Sequence, residues 1–153
     1  MKYQIERLSP DLATSMEQMF RDYYADTQAH VGLPEYKFAW HIYAALSIDR
    51  KLVIATARDA GARLLGVNMY ILMEHPHHTG LMMAECDCLA TAPSHRGLGI
   101  GRKLVELGER VLKQKGIQRV VHHYRTVYDA EPLFPKIGYT LAEHVYTKDL
   151  LTW

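Results

Sequence analysis

Residues 93–101, PSHRGLGIG, join a strand-like segment to an amphipathic helix, and this junction constrains the fold more than any other feature. The three glycines let the backbone adopt positive φ and approach a ligand closely. The segment 95–103 carries three cations and no acid, although the whole chain has a formal net charge of only +1. Because a helix N-terminus offers unpaired N–H groups and a partial positive charge, the junction predicts an anion site, best suited to phosphate.

The remaining patterns predict strands alternating with helices in a single domain over residues 1–153. The expected order is a strand at 3–8, helices at 10–24 and from 34 or 35 to 48, strands at 51–59, 63–74 and 81–91, the helix beginning at Ile100, a strand at 118–124, a short helix within 128–138 and a final strand at 139–150. Three successive strands indicate an antiparallel meander, and the strand–helix–strand unit after them indicates a mixed sheet covered by helices.

Composition narrows the function classes. The 153 residues are 48% hydrophobic and 23% charged, as in ordinary globular domains. A near-zero net charge favours neither nucleic acid nor membrane as a partner. No apolar run approaches the roughly 20 residues of a membrane span, and the first residues lack the apolar core of a secretory signal, so we expect a cytoplasmic protein. Cys86 and Cys88, two apart in a strand, do not indicate a disulfide framework.

Two common phosphate motifs do not fit the junction. A nucleotide P-loop requires Ser or Thr after its lysine, whereas Lys103 is followed by Leu104. A dinucleotide fingerprint requires G-x-G-x-x-G and an acid about 20 residues further on, whereas position 102 is Arg and the segment IQRVV supplies no acid.

The junction instead fits R/Q-x-x-G-x-G/A through Arg96, Gly99 and Gly101, and the IGY at 137–139 resembles a closing G-F/Y motif. On these motifs and the element order, the chain resembles the GNAT superfamily of acyl-CoA N-acyltransferases over essentially its whole length. The resemblance implies an α/β (α+β) fold with a mixed, mostly antiparallel central sheet. This sheet would have six to seven strands, flanked by about four helices, with a splay between the fourth and fifth strands.

The resemblance also implies acetyl-CoA as acyl donor, with its acyl-pantetheine arm between the strands at 84–91 and 118–123. By family analogy, strand residues would bind the arm and polarise the thioester carbonyl: Leu89, Ala90 and Thr91. The pyrophosphate would lie on the backbone around the junction: Arg96, Gly97, Leu98, Gly99, Ile100, Gly101, Arg102 and Lys103.

Amine acylation needs a base, because an amine with a pKa near 10 must lose a proton before it attacks. Strand alternation places Glu85, Asp87, Leu89 and Thr91 on one face and both cysteines on the other. Glu85 lies eleven residues before Arg96, which resembles the catalytic glutamate of the histone-acetylating branch, so it is the first candidate base and Asp87 the second. A salt-bridged structural acid is the alternative. With this alternation, both cysteines lie on the face opposite the candidate bases, where neither is placed to form a covalent acyl intermediate.

The proton donor to the leaving thiolate is the weak point of the pattern. Many family members have a tyrosine four residues before the closing glycine, where this chain has Phe134. Either another group serves, or the thiolate leaves without a dedicated acid. Tyr128 is the first substitute, ahead of Tyr124 and Tyr139, although for each of them a packed aromatic with a satisfied hydroxyl is the favoured interpretation. One of His122 and His123 would face the cleft, and a structural histidine is the favoured reading. No metal site is expected, because His75, His77 and His78 lie too far along the strands from the cysteines.

The leading hypothesis is transfer of an acetyl group from acetyl-CoA to a primary amine of a small molecule or protein, by direct attack in a ternary complex. Phe134 supports a second hypothesis, a catalytically weak or silent acyl-CoA-binding module or sensor of the same fold. A third is a structural subunit whose aromatic second helix is an interface. The acceptor is expected near the loop between the first two helices, beside Tyr23, Tyr24, Tyr36 and Trp40. The sequence is also compatible with a homodimer.

Overall fold

The computed structural model of the chain describes residues 1–27, 37–124, 133–148 and 150. The strands are β1 (Lys2–Glu6), β2 (Leu52–Arg58), β3 (Leu64–Glu74), β4 (Met82–Thr91) and β5 (Arg119–His122). The helices are α1 (Pro10–Thr27), α2 (Trp40–Ile48), α3 (Ile100–Gln114) and α4 (Leu133–Lys136), and a 3₁₀ turn at Pro93–His95 precedes α3. None of the helices described is both long and apolar enough to cross a membrane.

The sheet has the order β1-β2-β3-β4-β5. Its first three pairings are antiparallel and the β4–β5 pairing is parallel, which confirms the meander and the mixed sheet. The core is divided between the two faces. Leu12, Met16 and Phe20 of α1 pack on one face, and Leu104 and Leu112 of α3 pack on the other. The Leu12 N–H donates to Ser9 Oγ at 3.2 Å, so Ser9 caps α1 as the Ser-Pro pair predicts.

Strands β4 and β5 pair over a short length only. Their register runs from Met83 opposite Arg119 to Cys86 opposite His122. β5 ends there, while β4 continues from Asp87 to Thr91. The backbone of this last part of β4 therefore has no β5 partner, and a gap opens at the place expected for the splay.

A β-bulge at Asp87 changes the phase of β4. Met69 of β3 pairs with Cys88 and Tyr70 pairs with Cys86, so Asp87 is an extra residue without a partner on β3. As a result, Cys86 packs on the α3 side with Leu112, whereas Cys88 packs on the α1 side with Leu12. Leu89 packs on the α3 side as well. The expectation that both cysteines share one face, opposite Glu85, Asp87, Leu89 and Thr91, was wrong.

The second helix begins later than the sequence pattern predicts. Residues 37–39 are not helical, and α2 starts at Trp40; residues 34–36 lie outside the described residues. The ring of Phe38 stacks between those of Phe20 and Tyr43, with ring centres 4.6 and 4.5 Å away. Because of this tertiary packing, Phe38 precedes the helix and, contrary to the prediction, does not belong to its apolar stripe. α2 contains no fully buried residue, and Ile42 of that stripe is 51% exposed.

The expected final strand is also absent from the residues described between 139 and 148, which form neither strand nor helix. The sheet seen in the described ranges has five strands rather than six to seven. Alternating apolar residues predict a strand here, but Leu141 and Val145 are 67% and 68% exposed. With no neighbouring strand to pair with, the alternation does not produce one.

Candidate active site

A cavity of about 500 Å³ lies where β4 and β5 separate. It is bounded by the end of α1, the last part of β4, the turn before α3, and the residues after β5. The lining includes the predicted donor-binding residues Leu89, Ala90, Thr91, Arg96, Gly97, Gly99, Ile100, Gly101 and Arg102. It also includes Asp87, His122, His123, Tyr124 and Phe134. The fold thus brings most of the predicted donor site into one space.

The glycine turn needs its glycines for conformation. Gly97 has φ +76° and Gly99, the N-cap of α3, has φ +75°, a region that other residues rarely adopt. An added Cβ at Gly97, Gly99 or Gly101 would meet no atom within 4 Å, so the backbone here is open to a ligand. The first turn of α3 contains no acid. Together these features leave the positive end of the helix accessible beside the cavity.

Arg96 stabilises the glycine turn before α3 and also lines the cavity. Its Nε donates to the Thr91 carbonyl at 3.3 Å, and Nη2 pairs with Asp26 Oδ2 of α1 at 2.5 Å. Two predicted donor-binding residues are absent from the cavity lining. The Leu98 side chain is exposed to solvent, and the Lys103 ammonium lies 5.5 Å from the centre of the Tyr3 ring, while its N–H donates to the Gly99 carbonyl.

The two candidate bases have different surroundings. Asp87 lines the cavity, and the Tyr43 hydroxyl donates to its Oδ2 at 2.9 Å. Although Asp87 is exposed toward the cavity, the protein around its carboxylate raises the pKa by burial; the Tyr43 hydrogen bond opposes this and the charge of Glu85 adds to it. Glu85 does not line the cavity and pairs with His123 Nε2 at 3.3 Å.

Tyr43 is a site residue that sequence reasoning missed. It stands in the aromatic second helix, and nothing in its spacing distinguishes it from its neighbours. Its hydroxyl reaches Asp87 because Tyr43 packs against the core on the α1 side of the sheet, a tertiary arrangement that helical periodicity does not show. Of the expected acceptor residues, Tyr23 lines the cavity, Trp40 Nε1 donates to Glu17 at 3.1 Å, and Tyr36 lies outside the described residues.

Of the candidate proton donors that the structure describes, Tyr124 lines the cavity and Tyr139 does not. Phe134 is buried and packs between His122 and Tyr124, with ring centres at 5.0 and 5.8 Å. Tyr124 lines the cavity, whereas the Tyr139 hydroxyl is occupied in donating to Glu109 Oε1 at 2.7 Å. Tyr128, the first candidate, lies outside the described residues. The position at which the family has a tyrosine thus presents an apolar ring.

Neither cysteine is an activated nucleophile. Both are free and buried. Burial raises the pKa of the Cys86 thiol, and the nearby charge of Asp87 raises it further; the pKa of Cys88 is raised by burial and by Cys86 and Asp87. Both stay protonated at neutral pH. In the part of the chain that the structure describes, no group of three or more His, Cys, Asp or Glu side chains is arranged to hold a metal ion.

The model of the acetyltransferase (GNAT) family matches residues 13–139, which include all of the cavity-lining strand β4 and the glycine turn. The chain belongs to this family. Comparison with curated proteins finds no match.

Solved structures show the same GNAT fold. A ribosomal-protein-alanine N-acetyltransferase from Brucella melitensis is 18% identical, with a TM-score of 0.73, covering 98% of this chain and 100% of its own. A glucosamine-6-phosphate N-acetyltransferase from Arabidopsis thaliana is 11% identical, with a TM-score of 0.73 and coverage of 98% and 99%. A protein from Clostridium acetobutylicum described as a predicted acetyltransferase, solved with acetyl-CoA, is 13% identical, with a TM-score of 0.74 and coverage of 97% of both chains.

Proposed function

We propose that this GNAT protein is an N-acetyltransferase that transfers an acetyl group from acetyl-CoA to a primary amine by direct attack in a ternary complex. The observation that carries the proposal is the cavity that connects the open glycine turn of α3 with the gap between β4 and β5. One end of this space suits a diphosphate, and the other offers free strand backbone and a carboxylate. Its volume of about 500 Å³ is within the range of small-molecule sites.

The residues present fit the donor. Backbone N–H groups at Gly97, Gly99 and Gly101 would bind the diphosphate, because no side chain blocks them and the helix dipole favours an anion. Beyond Cys86 the β4 backbone lacks a β5 partner. Its N–H and C=O groups, from Leu89 to Thr91, would bind the pantetheine amides as a neighbouring strand would. Arg96 supports this site by holding the turn against α1 and β4.

We place Asp87 ahead of Glu85 as the base. Asp87 lines the cavity, whereas Glu85 does not and is paired with His123, which does. The raised pKa of Asp87 makes it a better proton acceptor than an ordinary aspartate, and removal of an ammonium group from water lowers the pKa of that group. These changes bring the two pKa values closer, which favours proton transfer in the closed site.

The proposed transfer proceeds without a covalent enzyme intermediate. The amine nitrogen forms a bond to the thioester carbonyl carbon, the carbon–sulfur bond breaks, and the sulfur leaves with the electron pair. Asp87 takes the proton from the nitrogen and returns it to solvent, and the departing thiolate takes a proton from water. The protonated, buried state of Cys86 and Cys88 supports direct transfer.

The proposal predicts that Asp87→Asn lowers turnover by about 10²- to 10³-fold, the contribution typical of a general base. Glu85→Gln is the matched control, a neighbouring carboxylate of the same strand, and should lower turnover by less than about 5-fold, since no base is removed from the cavity. Both variants should bind acetyl-CoA like the unmodified protein. Thiol release from acetyl-CoA is measured with a peptide beginning in alanine and with an amino sugar phosphate, which represent the acceptors of two structurally similar enzymes.

A second function is favoured by one observation. Phe134 is a buried ring with no hydroxyl, at the position where many family members have a tyrosine. Without that proton donor, the fold would serve as an acyl-CoA-binding module or sensor. Calorimetric binding of acetyl-CoA without thiol release for any amine in the panel would support this function against the enzyme. If Asp87→Asn instead retained full turnover, transfer would stand and Asp87 would be removed from the mechanism.

A further inference from the structure

A chain of hydrogen bonds through the core ends at the cavity. Cys86 Sγ donates to Asn68 Oδ1 at 3.1 Å, Asn68 Nδ2 donates to the Tyr70 hydroxyl oxygen at 2.7 Å, and this hydroxyl lies 3.3 Å from His122 Nε2. Asn68 and Tyr70 have no exposed surface. Both ends of the chain, Cys86 and His122, line the cavity. His122 is the less buried of the two, so the chain fixes the state of a side chain that a ligand can reach.

The direction of the chain selects one histidine tautomer. In the part of the chain that the structure describes, the Tyr70 hydroxyl bonds to the Asn68 and His122 side chains. Because its oxygen accepts from Asn68, its proton is satisfied by donation to His122 Nε2. If Nε2 donated instead, a buried hydroxyl proton would lack an acceptor, which is costly. A neutral His122 therefore carries its proton on Nδ1, and any hydrogen bond that it gives in the cavity comes from Nδ1.

His122 stays neutral at physiological pH. Burial, together with the smaller effect of the adjacent His123, lowers its pKa from 6.5 to about 4. The groups packed against its ring are Tyr70, Phe134 and Tyr139, at 5.5, 5.0 and 5.0 Å between ring centres, and none of them carries a negative charge. A neutral imidazole is too weak an acid to give up its Nδ1 proton, so this group acts as a hydrogen-bond donor.

His122 lies where the pairing of β4 and β5 ends, close in the sheet to the proposed base. It is the last β5 residue that pairs with β4, directly opposite Cys86, and the proposed base Asp87 follows Cys86. It also contacts Phe134, which occupies the place of the missing tyrosine donor. Resting on the proposed function, we propose that His122 Nδ1–H donates a hydrogen bond to the leaving sulfur of the acyl donor, in the role left open by Phe134. The sulfur leaves as a stabilised thiolate and takes its proton from water.

Ring ¹⁵N NMR of the whole protein tests the contact without relying on activity. We expect His122 to be protonated at Nδ1 and to accept at Nε2, and we expect Tyr70→Phe to reduce that preference. CoA should shift the Nδ1–H resonance, whereas desulfo-CoA, which lacks only the sulfur, should leave it near its ligand-free position. An Nε2–H tautomer in the unmodified protein, or equal Nδ1–H shifts with the two ligands, would overturn the proposal.

A pair of variants tests the same role in turnover. His122→Asn keeps an amide donor near the Nδ1 position, and His122→Gln places its amide near Nε2 instead. We expect His122→Gln to lose at least about 10-fold more turnover than His122→Asn, with the KM for acetyl-CoA changed little in both. Equal losses would contradict a donor at Nδ1. Absence of thiol release in the unmodified protein would instead refute the proposed function, whereas the NMR comparison reads the sulfur contact alone.

Discussion

Glu6 satisfies a buried hydroxyl and a guanidinium at one edge of the sheet. The fully buried Thr56 donates to Glu6 Oε1, and Arg58 donates to Oε1 at 2.8 Å and to Oε2 at 3.1 Å. Burial alone would raise the pKa of Glu6, but the hydrogen bonds from Arg58 and Thr56 outweigh it and lower the pKa from 4.5 to about 2. Its stabilising contribution is therefore fully present above pH 4.5 and is lost as the pH falls through about 2.

Glu6→Gln should lower the free energy of unfolding at pH 7 by about 1–3 kcal/mol, because it removes a charge that accepts hydrogen bonds from partly buried groups. The deficit should shrink as the pH is lowered from 5 toward 2, where Glu6 in the unmodified protein becomes protonated. Urea unfolding at several pH values measures it. Glu106→Gln, which breaks the exposed Arg102–Glu106 pair, is the control and should cost less than about 0.5 kcal/mol. A deficit independent of pH would contradict this assignment.

Asp87 shows how far a residue's role could be predicted from the sequence. The sequence pattern predicts the strand that holds Glu85 and Asp87, and β4 confirms that strand, but alternation neither finds the bulge nor ranks the two acids. The bulge at Asp87 arises from the pairing of β4 with β3, and its position depends on residues that lie elsewhere in the sequence. The glycine turn was predictable because its glycines and cations are consecutive. The contact between Asp87 and Tyr43 joins residues 44 apart, so no local pattern reports it.

The approach of α3 to the sheet depends on Gly108. A Cβ built at this position would lie 2.4 Å from Cε2 of Tyr70 and 3.1 Å from its hydroxyl oxygen. Tyr70 is fully buried and carries the hydroxyl that contacts His122. A side chain at position 108 would therefore displace either the helix or the ring. The position of α3 therefore determines where Tyr70 lies, and with it the hydrogen-bond chain that connects Cys86 and Asn68 to His122.

Gly108→Ala should lower the free energy of unfolding by about 1–3 kcal/mol, the usual cost of overpacking a core. Gly101→Ala, in the same helix but with open space around its Cβ, is the matched control. It should be neutral or stabilising by up to about 1 kcal/mol, since alanine favours a helix over glycine. Thermal and urea unfolding of both variants measure the difference. Equal stability of the two variants would show that Tyr70 does not limit the approach of α3.

Elements with a strong local pattern were predicted well. The meander strands and α3 were confirmed because alternation and helical spacing continue through each of them. The start of α2 was misplaced because Phe38 packs with Phe20 and Tyr43 in preference to continuing the helix. The final strand was expected from alternation alone, although a strand also needs a partner, and residues 139–148 have none within the described chain.

The topology of the whole molecule places the site. A parallel pair such as β4–β5 requires a crossover, here α3, that carries the chain back along the sheet. The N-terminus of α3 therefore lies at the C-terminal end of β4, where pairing with β5 has already stopped. An accessible helix N-terminus and the edge of β4 that has no β5 partner meet at this one end of the sheet. This end of the sheet is where we propose that the acyl donor binds, with its anionic end at α3 and its amide-bearing arm along β4.

This account depends on binding of acetyl-CoA at the glycine turn, and calorimetric titration of acetyl-CoA into Gly99→Glu tests it most directly. The control is Gly116→Glu at the opposite end of α3, because Gly116 has φ +78° against +75° for Gly99 and both have open space around the Cβ. Backbone strain and added charge are therefore matched. We expect Gly116→Glu to bind like the unmodified protein and Gly99→Glu to bind at least about 100-fold more weakly, a difference of about 2.7 kcal/mol. Equal affinity in all three proteins would contradict the account.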